Sequence, residues 1–238
     1  DTDDQALVTK SFERINSRGT TMSETHMLNA LTYTDDFDLL SSLDNYYDEY
    51  LSENSSWYQI DREFVLMLLK IKLGFDPYLK DTDKLANKIK ENPDSLIQVF
   101  ESLVSLSEFS SKYLNIESPE EFPYRLQMIG ISEAALDYNL DDYSKLLVSW
   151  FWFSTYTNSF GTTARNSQKS LQALRNLIKD GEFPWILNHE PVCRSLEEEL
   201  VTYKPARIKV WAMTLADKLN YELNDSKYRN ILRDNRGN

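Results

Sequence analysis

The sequence predicts an all-α protein, a bundle of about nine to eleven helices, on three observations. Apolar residues recur at three- and four-residue intervals through most of the chain, the spacing that lines one face of a helix. No stretch alternates apolar and polar residues long enough for a half-buried strand. Only 6 glycines and 7 prolines occur in 238 residues, too few for the many tight turns of an all-β fold. With 41% hydrophobic and 13% aromatic residues the chain can bury a substantial core, so disorder is not expected.

The elements follow in order. A first helix is expected from about Thr2 to Ser17, capped by Thr2 or Asp3, with Leu7, Val8, Phe12 and Ile15 at helical spacing; Gly19 ends it. Ser23 caps a second helix that places Met27, Leu28 and Leu31 on one face. A third, from about Asp35 to Leu51, is acidic outside and carries Phe37, Leu40, Leu43, Tyr47 and Tyr50 inside. Asp61 opens a fourth, which ends at Gly74 and is apolar nearly all round, hence central. A short polar helix spans Asp81 to Asn92, and Pro93 and Asp94 start the next, with Leu96, Phe100, Leu103 and Val104 in phase. The SPEEF segment (118–122) reads as a helix start leading into YRLQMIGISEAAL. Asp141 and Asp142 open the most apolar helix, YSKLLVSWFWFSTYTNSF, followed by a GTTARNSQ loop. Helices near 167–179, 195–202 and 206–223 complete the chain. No long self-similar period argues for a solenoid. Residues 1–238 are expected to form a single helical domain, part of a longer protein, with the weakest seam near 74–77.

Charge limits the partners. The net charge is −12, so on average the chain is a poor ligand for phosphate backbones. The acids concentrate between Asp35 and Glu63, where nine face Arg62 alone. The bases concentrate between Lys204 and Arg236, where eight stand against four acids. Any contact with DNA is therefore expected at the 204–236 end, and a basic partner at the acidic face of 35–63. The single Cys193 allows no internal disulfide, and no run is long and apolar enough for a membrane span, so a cytoplasmic protein is expected.

Few residues suggest chemistry. His26 and His189 lie at no ligand spacing with each other or with Cys193, which excludes a recognisable zinc site, an HNH-type nuclease or a Cys–His pair. No Gly-rich phosphate loop occurs. No catalytic or metal-ligating residue is assigned, and no cofactor is expected on the chain itself. One segment is distinctive. In FERINSRGTTMS (12–23), Asn16, Ser17, Arg18, Gly19, Thr20 and Thr21 join a helix end to a helix start. That junction gathers hydrogen-bonding groups at two helix termini, with an arginine able to meet a phosphate bidentately.

The longer segment FERINSRGTTMSETHMLNAL (12–31) resembles a motif of the ParB-like N-terminal family of GmrSD-type, modification-dependent restriction proteins. The family pattern is a Phe, three residues, an Asn, then Gly-Thr and Leu-Ser before a helix carrying Asn-Ala-Leu. Phe12, Asn16, Gly19, Thr20, Ser23, Asn29, Ala30 and Leu31 match it, and Met22 stands where the family has Leu. Downstream, YRLQMIGISEAAL (124–136) and LLVSWFWFSTYTNSFGTTARNSQKSLQAL (146–174) resemble the family's following helices in the same order. The resemblance implies that Phe12, Asn16, Arg18, Gly19 and Thr20 belong to a nucleotide site. It also implies that the chain is the helical portion of a nucleotide-dependent DNA-restriction protein. The family's Asp-Gly-Gln-Gln-Arg motif and its nuclease domain do not occur in this sequence. Those N-terminal and C-terminal parts of the parent would supply NTP and divalent-metal chemistry, and the chain alone would have no activity. The alternative reading is a non-enzymatic helical interaction module whose acidic face, 35–63, binds a basic partner.

Overall fold

A computed structural model of the chain describes residues 23–53, 55–78, 81–157, 159–160 and 164–180, together with 210, 213–215 and 218. Among them every regular element is helical, and the sole β-type pairing is an isolated bridge between Thr34 and Phe37. The expected helices at 2–17 and 195–202, and most of 206–223, lie outside the described residues. No helix among the described residues is long and apolar enough to cross a membrane. The chain divides into two compact units, Asp1–Ser107 with Ala135–Asp137, and Glu108–Ala134 with Tyr138–Asn238. The Gly74–Pro77 segment falls inside the first.

In the first unit, α1 (Glu24–Thr32) begins where Ser23 accepts a hydrogen bond from His26 N. Its Leu28 and Leu31 are buried, and it packs on α2 (Leu39–Tyr46), α3 (Arg62–Lys72) and α4 (Thr82–Glu91). Helix α2 starts later than the sequence suggests. Thr34 and Phe37 exchange backbone hydrogen bonds in a tight turn, and Asp38, not Asp35, caps the helix by accepting from Ser41 N at 2.9 Å. The helix then widens into a π-helical turn, Tyr47–Leu51. The late start and the wider turn re-phase the buried face to Leu39, Leu43, Tyr47 and Leu51, in place of the expected Phe37, Leu40 and Tyr50.

Asp61 caps α3 by accepting from Phe64 N at 2.8 Å. Phe64, Val65, Leu66, Leu68 and Leu69 are buried, so α3 is central as expected. Gly74 ends it at φ 81°, where Gly74 N donates to Ile71 O and Phe75 N to Lys70 O, the paired bonds of a Schellman cap. Asp81 caps α4, whose Leu85, Ala86 and Ile89 are buried. Helix α5 (Ser95–Phe109) sets Phe100 against Tyr46, Tyr47 and Tyr50, with ring centroids 5.2–6.1 Å apart.

The second unit opens with a π-helical turn, Ser110–Leu114, closed by Asn115 in the left-handed region at φ 56°. Pro119 starts a three-residue 3-10 turn, not the expected long helix; α6 proper is Arg125–Ala135. Helix α7 (Ser144–Tyr156) buries Leu147, Trp150 and Phe151. Helix α8 (Ala164–Asp180) takes in five residues of the expected GTTARNSQ loop, Ala164–Gln168. Gly130 lets α6 approach both neighbours. A Cβ there would stand 3.0 Å from Trp150 Cη2 and 2.9 Å from Leu174 Cδ2.

Candidate functional site

The proposed nucleotide residues Phe12, Asn16, Arg18, Gly19 and Thr20 lie outside the described residues, and the downstream half of their motif is α1. There the matched residues have structural partners. Ser23 is the N-cap. Asn29 Oδ1 accepts from Leu40 N at 3.0 Å, which ties α1 to the first turn of α2. Leu31 is in the core, while Ala30 is exposed. The motif's Asn-Ala-Leu thus anchors one helix on the next. His26 is exposed in the first turn, with Nδ1 2.5 Å from Ser23 Oγ.

One polar contact at α1 connects elements far apart in sequence. Lys70, 4% exposed on the apolar helix α3, donates through Nζ to Glu24 Oε2 at 2.9 Å. Nζ also lies 2.8 Å from Oε1, but off hydrogen-bond geometry, so that buried oxygen makes no hydrogen bond. The signal for this pair was a lysine inside an apolar run. A buried ammonium requires a partner, but the run did not say which.

The acidic segment is partly consumed by the fold. Asp38 and Asp61 are caps, Asp44 pairs with Arg62, and Asp48 accepts from Tyr58 OH at 2.7 Å. Asp35, Asp36, Glu49, Glu53 and Glu63 are exposed and form no ion pair among the described residues. The carboxylates act on the neighbouring phenols. The hydrogen bond to Asp48 pushes the Tyr58 hydroxyl up, and burial, reinforced by Glu49, does the same for Tyr46 and Tyr50. Tyr47 is pushed furthest, chiefly by burial and then by Asp61; its OH donates to Ile60 O at 2.7 Å. On α4, the Lys84 ammonium bonded to Asp81 holds that carboxyl below the usual range.

The aromatic helix that completes the sequence resemblance is a packing element. Gln127 of α6 is fully buried, and its Nε2 lies within 3.0 Å of Phe151 O, Ser154 Oγ and Thr155 Oγ1 on α7. Its Oε1 accepts from Tyr124 N. Arg175 of α8 makes a two-pronged ion pair with Glu133 of α6, at 2.6 and 3.0 Å. Lys112 pairs with Asp141 at 2.7 Å and stands over the Tyr113 ring, so Asp141 is spent on a tether rather than on capping α7; the same contact holds its carboxyl low.

No group of three or more metal-ligating side chains occurs among the described residues. His189, Cys193 and almost all of the basic 204–236 end lie outside them. The arrangement is therefore one of helices locked together by buried polar contacts, with an acidic, tyrosine-rich surface on the first unit. Searches against family models, curated proteins and solved structures returned no match.

Proposed function

We propose that this chain is the helical portion of a GmrSD-like, nucleotide-dependent DNA-restriction protein of cytoplasmic phage defence. In this reading Phe12, Asn16, Arg18, Gly19 and Thr20 face a nucleotide, with Asn16 fixing the loop and Arg18 near phosphate. NTP and metal chemistry and DNA cleavage belong to the N-terminal and C-terminal parts of the parent. The observation that carries the reading is the ordered match of residues 12–31, 124–136 and 146–174 to the family pattern. Ser23, Asn29 and Leu31 seat α1 on the first unit, and the reading assigns the donors upstream of them to the nucleotide. Asn16→Ala and Arg18→Ala should leave the melting temperature of the chain nearly unchanged. They should cut nucleotide hydrolysis by the parent at least tenfold, about 1.4 kcal/mol of barrier. Variants that unfold the chain, with normal parent activity per folded molecule, would make the junction structural and end the reading.

A second reading rests on a different observation, the five exposed acids of 35–63 that have no ion pair among the described residues. In it the chain is a non-enzymatic interaction module that docks a basic segment on the first unit. Neutralising Asp35, Asp36, Glu49, Glu53 and Glu63 together would abolish capture of a lysine-rich peptide if the docking is real. It would leave parent nucleotide hydrolysis untouched, so the two readings separate.

A further inference from the structure

The aromatic rings around Phe100 fall into two sets. Phe100 is fully buried and Tyr47 nearly so, and both belong to the core. Tyr46, the last residue of α2, and Tyr50, on the π-helical turn, are only half-buried. Each lies tilted on Phe100, with ring centroids 5.6 and 6.1 Å away, and the two stand edge to face 5.9 Å apart. A leucine would shield Phe100 as well. A tyrosine also offers a π face, whose quadrupole attracts a cation at the surface. The charges that act on the pair are negative and come from two elements. Burial, then Glu49 and Asp94, pushes the Tyr46 hydroxyl up; burial, then Glu49 and Glu101, does the same for Tyr50. Glu49 lies between the two tyrosines, Asp94 immediately precedes α5, and Glu101 follows Phe100 on it. All three carboxylates are exposed, and none forms an ion pair among the described residues.

We propose that the face formed by Tyr46 and Tyr50, rimmed by Glu49, Asp94 and Glu101, docks a basic peptide segment, with a lysine or arginine head over the rings and its charge matched by the carboxylates. Charge complementarity selects this occupant. An apolar partner would bury carboxylates without partners, and a nucleic acid would be repelled by them. A cationic side chain suits the rings and the acids together. The proposal rests on the interaction-module reading and narrows it to one site, two of whose carboxylates lie outside 35–63.

Fluorescence anisotropy of a short, labelled lysine peptide, titrated with the chain at physiological salt, tests the site. Tyr46→Leu with Tyr50→Leu leaves the net charge unchanged and should weaken binding at least about fivefold. Asp94→Asn with Glu101→Gln should weaken it by a similar factor. Asp35→Asn with Asp36→Asn removes the same charge at the far end of α2, beyond the screening length of about 8 Å, and should change binding less than about twofold. A folded tyrosine variant that binds as tightly as wild type overturns the proposal. Equal losses from the two acid pairs do the same, because net charge alone would then explain the binding. If the tyrosine variant fails to fold, the comparison of the two acid pairs decides. Peptide binding that is lost only on neutralising Asp35, Asp36, Glu53 and Glu63 ends this site and leaves the interaction-module reading standing. A wild-type chain that does not bind the peptide ends both. Self-association of the chain that disappears in the tyrosine variant would make the occupant a second copy and overturn the peptide assignment.

Discussion

Single residues show how tightly the first unit constrains its polar groups. Tyr47 sits under Phe100 and spends its hydroxyl on Ile60 O, in a site where burial opposes ionisation. Its folded pKa is raised, so the unfolded chain gives up the proton first, near pH 10. The stability from the neutral phenol is therefore complete below about pH 10 and is lost as pH rises beyond it. Tyr47→Phe should cost about 1–2 kcal/mol at pH 7, because the Ile60 carbonyl loses its partner. The gap between wild type and variant in urea melts should narrow from about pH 10 upward; a constant gap would show that the phenol is not protected. A few residues on, Ser52 holds φ 54° and ψ 129° at the end of the π-helical turn, a conformation that an L side chain adopts at a cost. Ser52→Gly removes that strain and should raise stability by about 1 kcal/mol. No gain in the melting midpoint would place the strain elsewhere.

Helices meet closely where the side chains allow it, and the α6–α7–α8 packing turns on Gly130. Gly130→Ala would gain about 1 kcal/mol of helix propensity. Its Cβ, however, would press on the rigid Trp150 ring at 3.0 Å as well as on the Leu174 methyl. Overpacking of this kind costs about 1–3 kcal/mol, so a net loss is expected, read as a lower denaturant midpoint with the helical circular-dichroism signal retained. Trp150→Ala, at a site 2% exposed, should cost about 3–5 kcal/mol; a loss below about 1 kcal/mol would contradict its burial. These elements also show what the sequence made legible. Ser23, Asp61, Asp81 and Gly74 were readable because a cap is settled by residues three or four positions away. The start of α2 was not, since Asp35, Asp36 and Asp38 are equally good caps and only the Thr34–Phe37 turn selects among them. The Lys70 and Gln127 contacts were out of reach because their partners lie 46 and 24 to 28 positions away, a matter of tertiary packing that periodicity does not encode. Of the candidate site, the sequence marked the motif. It did not show that Ser23, Asn29 and Leu31 of that motif seat α1 on its neighbours.

Across the whole molecule, charge decides which polymer can be bound. The net charge of −12 creates a repulsive field around the chain, and binding to duplex DNA draws its free energy from counterions released by lysines and arginines. The 204–236 end has eight bases against four acids, too small an excess to offset the rest of the molecule at physiological screening. The chain alone should therefore bind duplex DNA no more tightly than weak non-specific proteins, with a Kd of about 100 µM or weaker at 0.15 M salt. Lowering the salt lengthens the repulsion from 35–63 and the attraction to 204–236 together. Binding that emerges at 20 mM salt should then be abolished by replacing Lys204, Arg207 and Lys209 with glutamine. It should be strengthened by neutralising Asp35, Asp36 and Glu49. Fluorescence anisotropy with a labelled duplex reads both directions. Sub-micromolar binding at 0.15 M salt, insensitive to both sets of changes, would mean that a specific DNA surface exists elsewhere on the chain, and that the net-charge argument fails for this protein.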